Sequence, residues 1–73
     1  MKYQIGEMYL YEDKDSISLD KIINIQNGII TTKQIKNIKN CEYNGDIFHW
    51  AFDTFVNFRH INTLTDLEKV KYL

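Results

Sequence analysis

Two Asn-Gly dipeptides, Asn27-Gly28 and Asn44-Gly45, each lie between runs rich in β-branched and aromatic residues, and the chain contains no proline. The two central residues of a type I′ turn both need positive φ, which asparagine and glycine tolerate best, so each dipeptide predicts a two-residue β-hairpin. Antiparallel pairing between sequence neighbours is therefore the frame into which everything else must fit.

The alternation of side chains fills in that frame. Residues 3–11 place Tyr3, Ile5, Tyr9 and Tyr11 on one parity and Met8 and Leu10 on the other, which predicts a strand with a bulge at Gly6; the polar run Glu12 to Ser16 supplies a turn. Over residues 17–26, Ile17, Leu19, Ile23 and Ile25 share one face, interrupted by Lys21, and Ser18, Asp20, Asn24 and Gln26 share the other. Residues 29–36 should pair back on this strand. From Thr32 to Asn40, Ile35 and Ile38 are three apart, as are Lys33, Lys36 and Lys39, a spacing that suits a helical turn as well as a polar strand. Lysines near the positive end of a helix are unfavourable, which favours a strand running into an irregular segment. The second hairpin joins Cys41-Glu42-Tyr43 to Asp46 through Trp50.

Beyond Trp50 the period changes. Phe52, Phe55, Val56 and Phe58 fall at helical spacing, with Asp53 as an N-cap for a turn or two through about Arg59. Thr65-Asp66-Leu67-Glu68 is a capping-box pattern, and Leu67, Val70 and Leu73 form an apolar stripe behind it. Residues 1–73 thus predict a single, mainly β (α+β) domain. Its expected architecture is a small SH3-like antiparallel barrel or rolled sheet of three to five strands, followed by one or two short C-terminal helices.

Composition narrows the function. Apolar residues make up 44% of the chain, enough for a core and against disorder, while no run approaches the roughly 18 apolar residues of a membrane helix. No signal-peptide pattern opens the sequence and the one cysteine, Cys41, has no internal partner, so a cytoplasmic setting is expected. A net charge of −1 excludes strong global steering of polyanions. The charge is nevertheless uneven: residues 1–20 carry five acids against two lysines, whereas residues 21–43 carry Lys21, Lys33, Lys36 and Lys39 against Glu42 alone.

Catalytic constellations are not indicated. Cys41, His49 and His60 with Asp46 and Asp53 show none of the paired spacings of a metal site, and a Cys41–His49 nucleophile would still need an orienting group and an oxyanion donor. The three glycines are scattered rather than gathered into a phosphate loop, and Glu12, Asp13 and Asp15 lack the glycine and distal glutamate of a calcium loop. No cofactor or metal is expected, and no enzymatic activity.

Two surfaces remain. Phe48, Trp50, Phe52, Phe55 and Phe58 are more rings than one strand and one helix can bury on one face, so an exposed patch drawn from Tyr9, Tyr11, Trp50, Phe55 and Phe58 is expected to bind a protein partner. The alternative is a basic stripe of Lys21, Lys33, Lys36 and Lys39, with Tyr43, that contacts nucleic acid. Self-association into a homodimer is compatible with either.

Gly6-Glu7-Met8-Tyr9, followed by a Trp-bearing strand that runs into a short helix from Trp50 to Phe55, resembles the order of elements in small SH3-like proteins of phages and other mobile elements. The heavy use of Ile, Asn and Lys fits the AT-rich genomes of such elements. Some small phage proteins of this size inhibit bacterial defence, including anti-CRISPR proteins. The resemblance therefore implies a stoichiometric binder of a host protein in the host cytoplasm, with no catalytic residues carried over.

Overall fold

The computed structural model describes residues 3–40 and 46–73. Its elements are β1 (Met8–Glu12), β2 (Ile17–Gln26), β3 (Ile29–Lys39), β4 (Ile47–Ala51), α1 (Phe52–Phe55), β5 (Arg59–His60), a 3-10 turn (Ile61–Thr63) and α2 (Asp66–Tyr72). The five strands form one open antiparallel sheet in the order β4-β3-β2-β1-β5. The chain is mainly β, as its alternation predicts.

The first hairpin turns where expected, with φ of 53° at Asn27 and 76° at Gly28, and pairs Gln26 with Ile29. Asn44-Gly45, Cys41 and Tyr43 lie outside the described residues. Strand β1 begins at Met8 rather than Tyr3. Gly6, at φ 96°, sits in a turn closed by the Glu7 N–H donating to the Gln4 carbonyl at 3.2 Å and the Gln4 N–H donating to Glu7 Oε1 at 2.7 Å.

The ambiguous stretch from Thr32 to Asn40 is strand as far as Lys39, and its period of three has a specific cause. Lys33 pairs with Lys21, Lys36 with Leu19 and Lys39 with Ile17, while Ile35 and Ile38 have no counterpart on β2. Each bulge adds one residue to a period of two, so lysines three apart stay on one face of the sheet. Ile23 is a third extra residue, this time on β2. It shifts the parity along that strand, and Ile22 rather than Ile23 is buried.

Bulges increase twist, and this sheet is strongly curled. Flat strands spaced about 4.8 Å apart would put β1 and β4 about 14 Å from each other, yet the Tyr11 ring of β1 lies 6.1 Å from the Trp50 ring of β4. The concave face buries Tyr9, Ile22, Ile30, Phe55 and Phe58, with Tyr3, Tyr11, Ile25, Trp50 and Phe52 packed around them.

Helix α1 is a single turn, shorter than the spacing of its aromatics predicts. Ala51 rather than Asp53 occupies the N-cap position and offers no side-chain acceptor. The next bonds along the chain, Asn57 N–H to Thr54 and Phe58 N–H to Phe55, have tight three-residue spacing. They unwind the helix, lay Phe58 against Phe55 at 4.4 Å and release the chain into β5.

The convex face carries a smaller core of Leu10, Leu64 and Tyr72 beneath α2. The capping box forms as its pattern predicts, Thr65 Oγ1 accepting from the Glu68 N–H and Glu68 Oε1 from the Thr65 N–H. The apolar stripe does not face the core: Leu67, Val70 and Leu73 are 77, 84 and 51% exposed. Arg59 of β5 grips Glu68 through two hydrogen bonds of 2.8 Å, which turns the Glu68 and Tyr72 side of the helix toward the sheet.

The Arg59 guanidinium, with the Thr65 N–H behind it, holds the Glu68 carboxyl at about 2. A carboxylate whose folded value is depressed contributes stability that is present above its ordinary value and lost as pH falls through the folded one. Glu68→Gln is accordingly expected to flatten the pH dependence of stability between about 4.5 and 2 in acid titrations followed by circular dichroism. Phe55→Ala, which empties a fully buried site, is expected to cost about 3–5 kcal/mol in urea unfolding. Leu67→Ala should change stability by less than about 0.5 kcal/mol.

Candidate functional site

The curl that brings Tyr11 toward Trp50 leaves a cavity of about 280 Å³ at one end of the concave face, lined by residues of the first four strands, the β1–β2 turn and Asn40 just past β3. Tyr11, Phe48 and Trp50 supply its apolar walls. Its polar residues include Ser18, Asp20 and Gln34, all buried, with Asp13, Ser16 and Asn40 at the rim.

Asp20 is 2% exposed and lies directly across from Gln34 in the sheet. Ser18 Oγ donates to its Oδ1 at 2.9 Å, and the nearby Thr32 hydroxyl also favours the ionised carboxylate. Thr32 Oγ1 accepts the Trp50 indole N–H at 2.9 Å, which ties the wall of the cavity to β3. That bond orients the indole plane. Burial raises the Asp20 carboxyl above its ordinary range, and the two hydroxyls only partly oppose that rise.

Gln34 is 4% exposed, and its amide nitrogen has no hydrogen-bond partner among the described residues. A buried amide donor left unpaired costs about 1–3 kcal/mol. The sheet therefore carries two expenses at adjacent positions of the same cavity, a buried carboxylate and an unpaired amide.

At the rim, Asp13 behaves oppositely. It accepts a hydrogen bond from the Tyr11 hydroxyl and two more from the N–H groups of Asp15 and Ser16, at 2.8 and 2.7 Å. These contacts hold its carboxyl below the ordinary range, the Tyr11 bond contributing most. Ser16 Oγ donates to the Asn40 carbonyl and Asn40 Nδ2 to the Asp15 carbonyl, each at 3.2 Å, which ties the rim to the end of β3. Ionised Asp13 at the mouth and Asp20 on the floor are the two acids of the lining, and the lining contains no basic side chain among the described residues.

The aromatic set expected to bind a partner divides between core and site. Tyr9, Phe55 and Phe58 are 6, 0 and 7% exposed and pack inside, with burial pushing the Tyr9 phenol up to about 12. Only Tyr11 and Trp50 of the five reach the surface, as walls of the cavity. Interlocking removes the other three: Tyr9 meets Phe55 edge-on at 4.9 Å, and Phe58 is flanked by Phe55 and Trp50. Ser18, Asp20, Thr32 and Gln34 were not singled out by the sequence, where alternation assigns Ser18 and Asp20 to a solvated face. The available signal is Phe48 and Trp50 two apart on a strand, which would leave a polar strand face roofed by rings once the sheet curls.

The lysines Lys21, Lys33, Lys36 and Lys39 share the convex face, with Lys21 and Lys33 directly opposite one another. Lys36 Nζ is engaged with the Tyr72 carbonyl at 3.2 Å, the C-terminal end of α2, where a cation complements the helix dipole. His49 lies on this side, its Nδ1 2.9 Å from Thr31 Oγ1 beside a shallow cleft. No third group orients the His49 ring among the described contacts, so Thr31 lacks the constellation of an activated nucleophile. His60 bonds Glu7 Oε2 through Nε2 at 3.0 Å and accepts the Asn62 N–H at Nδ1, which caps the 3-10 turn. No group of three or more His, Cys, Asp and Glu side chains among the described residues could hold a metal ion, and no helix among them is long and apolar enough to cross a membrane.

Comparisons with protein-family models, with curated proteins and with solved structures find no match.

Because the folded Asp20 carboxyl is raised, the cost of its burial is fully present above its folded value and shrinks as pH falls through it. Asp20→Asn, which keeps the shape and removes the charge, is expected to raise Tm at neutral pH. That gain should diminish on acidification, as checked by thermal melts across the pH range.

Proposed function

We propose that the chain is a small non-enzymatic recognition domain with a rolled, SH3-like sheet. Within that class, its role is to bind another protein by taking one of that protein's side chains into the cavity walled by Tyr11, Phe48 and Trp50. The strand order with a single helical turn between β4 and β5, and the close approach of Tyr11 to Trp50, support the rolled architecture.

One observation carries the binding reading. A polar floor that costs stability, Asp20 and Gln34, sits beneath rings that are half-buried rather than packed away. Plain packing would bury apolar groups there; a site that exchanges these costs for contacts with a ligand keeps them. The cavity is at the small end of ligand sites, the size of one side chain rather than of a nucleotide cofactor. The resemblance to mobile-element proteins supports a bacterial host protein as the partner class.

A second reading rests on the alignment of Lys21, Lys33 and Lys39 on the convex face, a basic strip suited to a nucleic-acid backbone. The two readings use opposite faces and respond differently to salt, since phosphate contacts weaken steeply with counterion release.

Affinity capture with the wild-type chain, Trp50→Ala and a Lys21→Ala/Lys33→Ala double variant separates them. The protein-binding reading expects one partner to be retained after nuclease treatment and at moderate salt. It also expects a loss of tenfold or more with Trp50→Ala and little change with the lysine variant. Retention that disappears with nuclease, or that depends on the lysines alone, would transfer the function to nucleic acid.

A further inference from the structure

We propose that the cavity walled by Tyr11, Phe48 and Trp50 is a guanidinium site, whose occupant is an unmodified arginine side chain of the protein partner. This rests on the reading of the concave face as the binding face, and adds the chemistry that face selects.

The lining is rich in acceptors and poor in fixed donors. Asp20 accepts from the Ser18 hydroxyl with the Thr32 hydroxyl nearby, and a carboxylate has roughly four acceptor positions, so part of its capacity is unused. Asp13 adds a second carboxylate at the mouth, kept ionised by its three hydrogen bonds. Ser16 and Ser18 have committed their hydroxyl protons to Asn40 and Asp20, and Asn40 one of its two amide protons to Asp15. An anion finds no cationic partner here, and a purely apolar group would bury Asp20 further without compensation.

Gln34 supplies an independent observation. As placed, its amide nitrogen donates to no described residue, and a half-turn of the carboxamide exchanges that nitrogen for the oxygen, which then accepts from a donor that enters beside Asp20. With Asp13 and Asp20 facing no basic side chain among the described lining residues, the missing component of the cavity is a positive charge with several N–H groups.

Shape distinguishes among cations. Trp50 is held by its bond to Thr32 and stacks with Tyr11, 6.1 Å away and 27° from parallel, so the pair forms one preoriented aromatic wall of the cavity. Flat faces of this kind stack on a planar guanidinium, whose forked N–H groups also match a carboxylate, whereas a compact ammonium uses neither property as fully. At about 280 Å³ the space suits one such side chain.

Trp50 is the protein's only tryptophan, so its fluorescence and its indole NMR signal report occupancy directly. Nα-acetyl-arginine methylamide is titrated into the full chain, alongside the corresponding citrulline and lysine derivatives. Citrulline is the neutral near-isostere and lysine the non-planar cation. The expected result is saturable change at Trp50 with the arginine probe, with citrulline at least tenfold weaker and lysine several-fold weaker. Asp20→Asn should weaken the arginine probe tenfold or more, and Asp13→Asn several-fold, with melting curves confirming that both variants fold. Equal binding of citrulline or lysine, or no response to arginine, overturns the assignment, and the comparison of probes on the wild-type chain decides it even if a variant fails to fold. Because the probes require no partner, a failed protein capture together with selective arginine binding would overturn the protein-borne occupant while leaving the guanidinium selectivity of the cavity standing.

Discussion

The concave face depends on three residues that have no counterpart across the β2–β3 ladder: Ile23 on one strand, and Ile35 and Ile38 on the other. Each adds local twist to a hairpin that would otherwise be a long flat ribbon, and together they curl it until its outer neighbours β1 and β4 approach. Without that curl, Tyr11 and Trp50 would stand on separated strands, and Ser18, Asp20 and Gln34 would lie on an open polar surface. The cavity is in this sense a product of backbone irregularity rather than of a dedicated loop.

Much of the fold was legible because it is local. Asn27-Gly28 and the capping box Thr65–Glu68 specify backbone conformations within a few residues, and both occur as their chemistry requires. What misled was periodicity where it is interrupted. The lysines at 33, 36 and 39 read equally as helix because two bulges stretch a strand period to three, and a bulge leaves no mark in composition. The stripe of Leu67, Val70 and Leu73 identified a face of α2, but the helix turns the other way because an ion pair from β5 decides its rotation.

The site was harder to read than the fold for a related reason. Trp50 and Tyr11 could be singled out as rings in excess of what one core absorbs, but Tyr9, Phe55 and Phe58 could not be told from them until the edge-on contacts of the core were known. Asp20 and Gln34 are polar residues at alternating positions, the ordinary sign of a solvated face. They become informative only through burial, and burial arises from β4 folding over them. A residue whose cost is set by long-range packing carries no local signature of that cost.

The clasp between β1 and β5 has a kinetic meaning. It consists of two residue pairs, Tyr9 with His60 and Leu10 with Arg59, and it closes a span of about fifty residues, whereas the strands that line the cavity are joined in sequence order from β1 to β4. Pairing between sequence neighbours is entropically cheap and fast, and so short a contact across so long a loop is neither. The meander can therefore assemble first and the β5–α2 segment dock afterwards. In the native state the same segment is the natural unit of sub-global opening, peeling from the convex side while the strands around Asp20 stay paired.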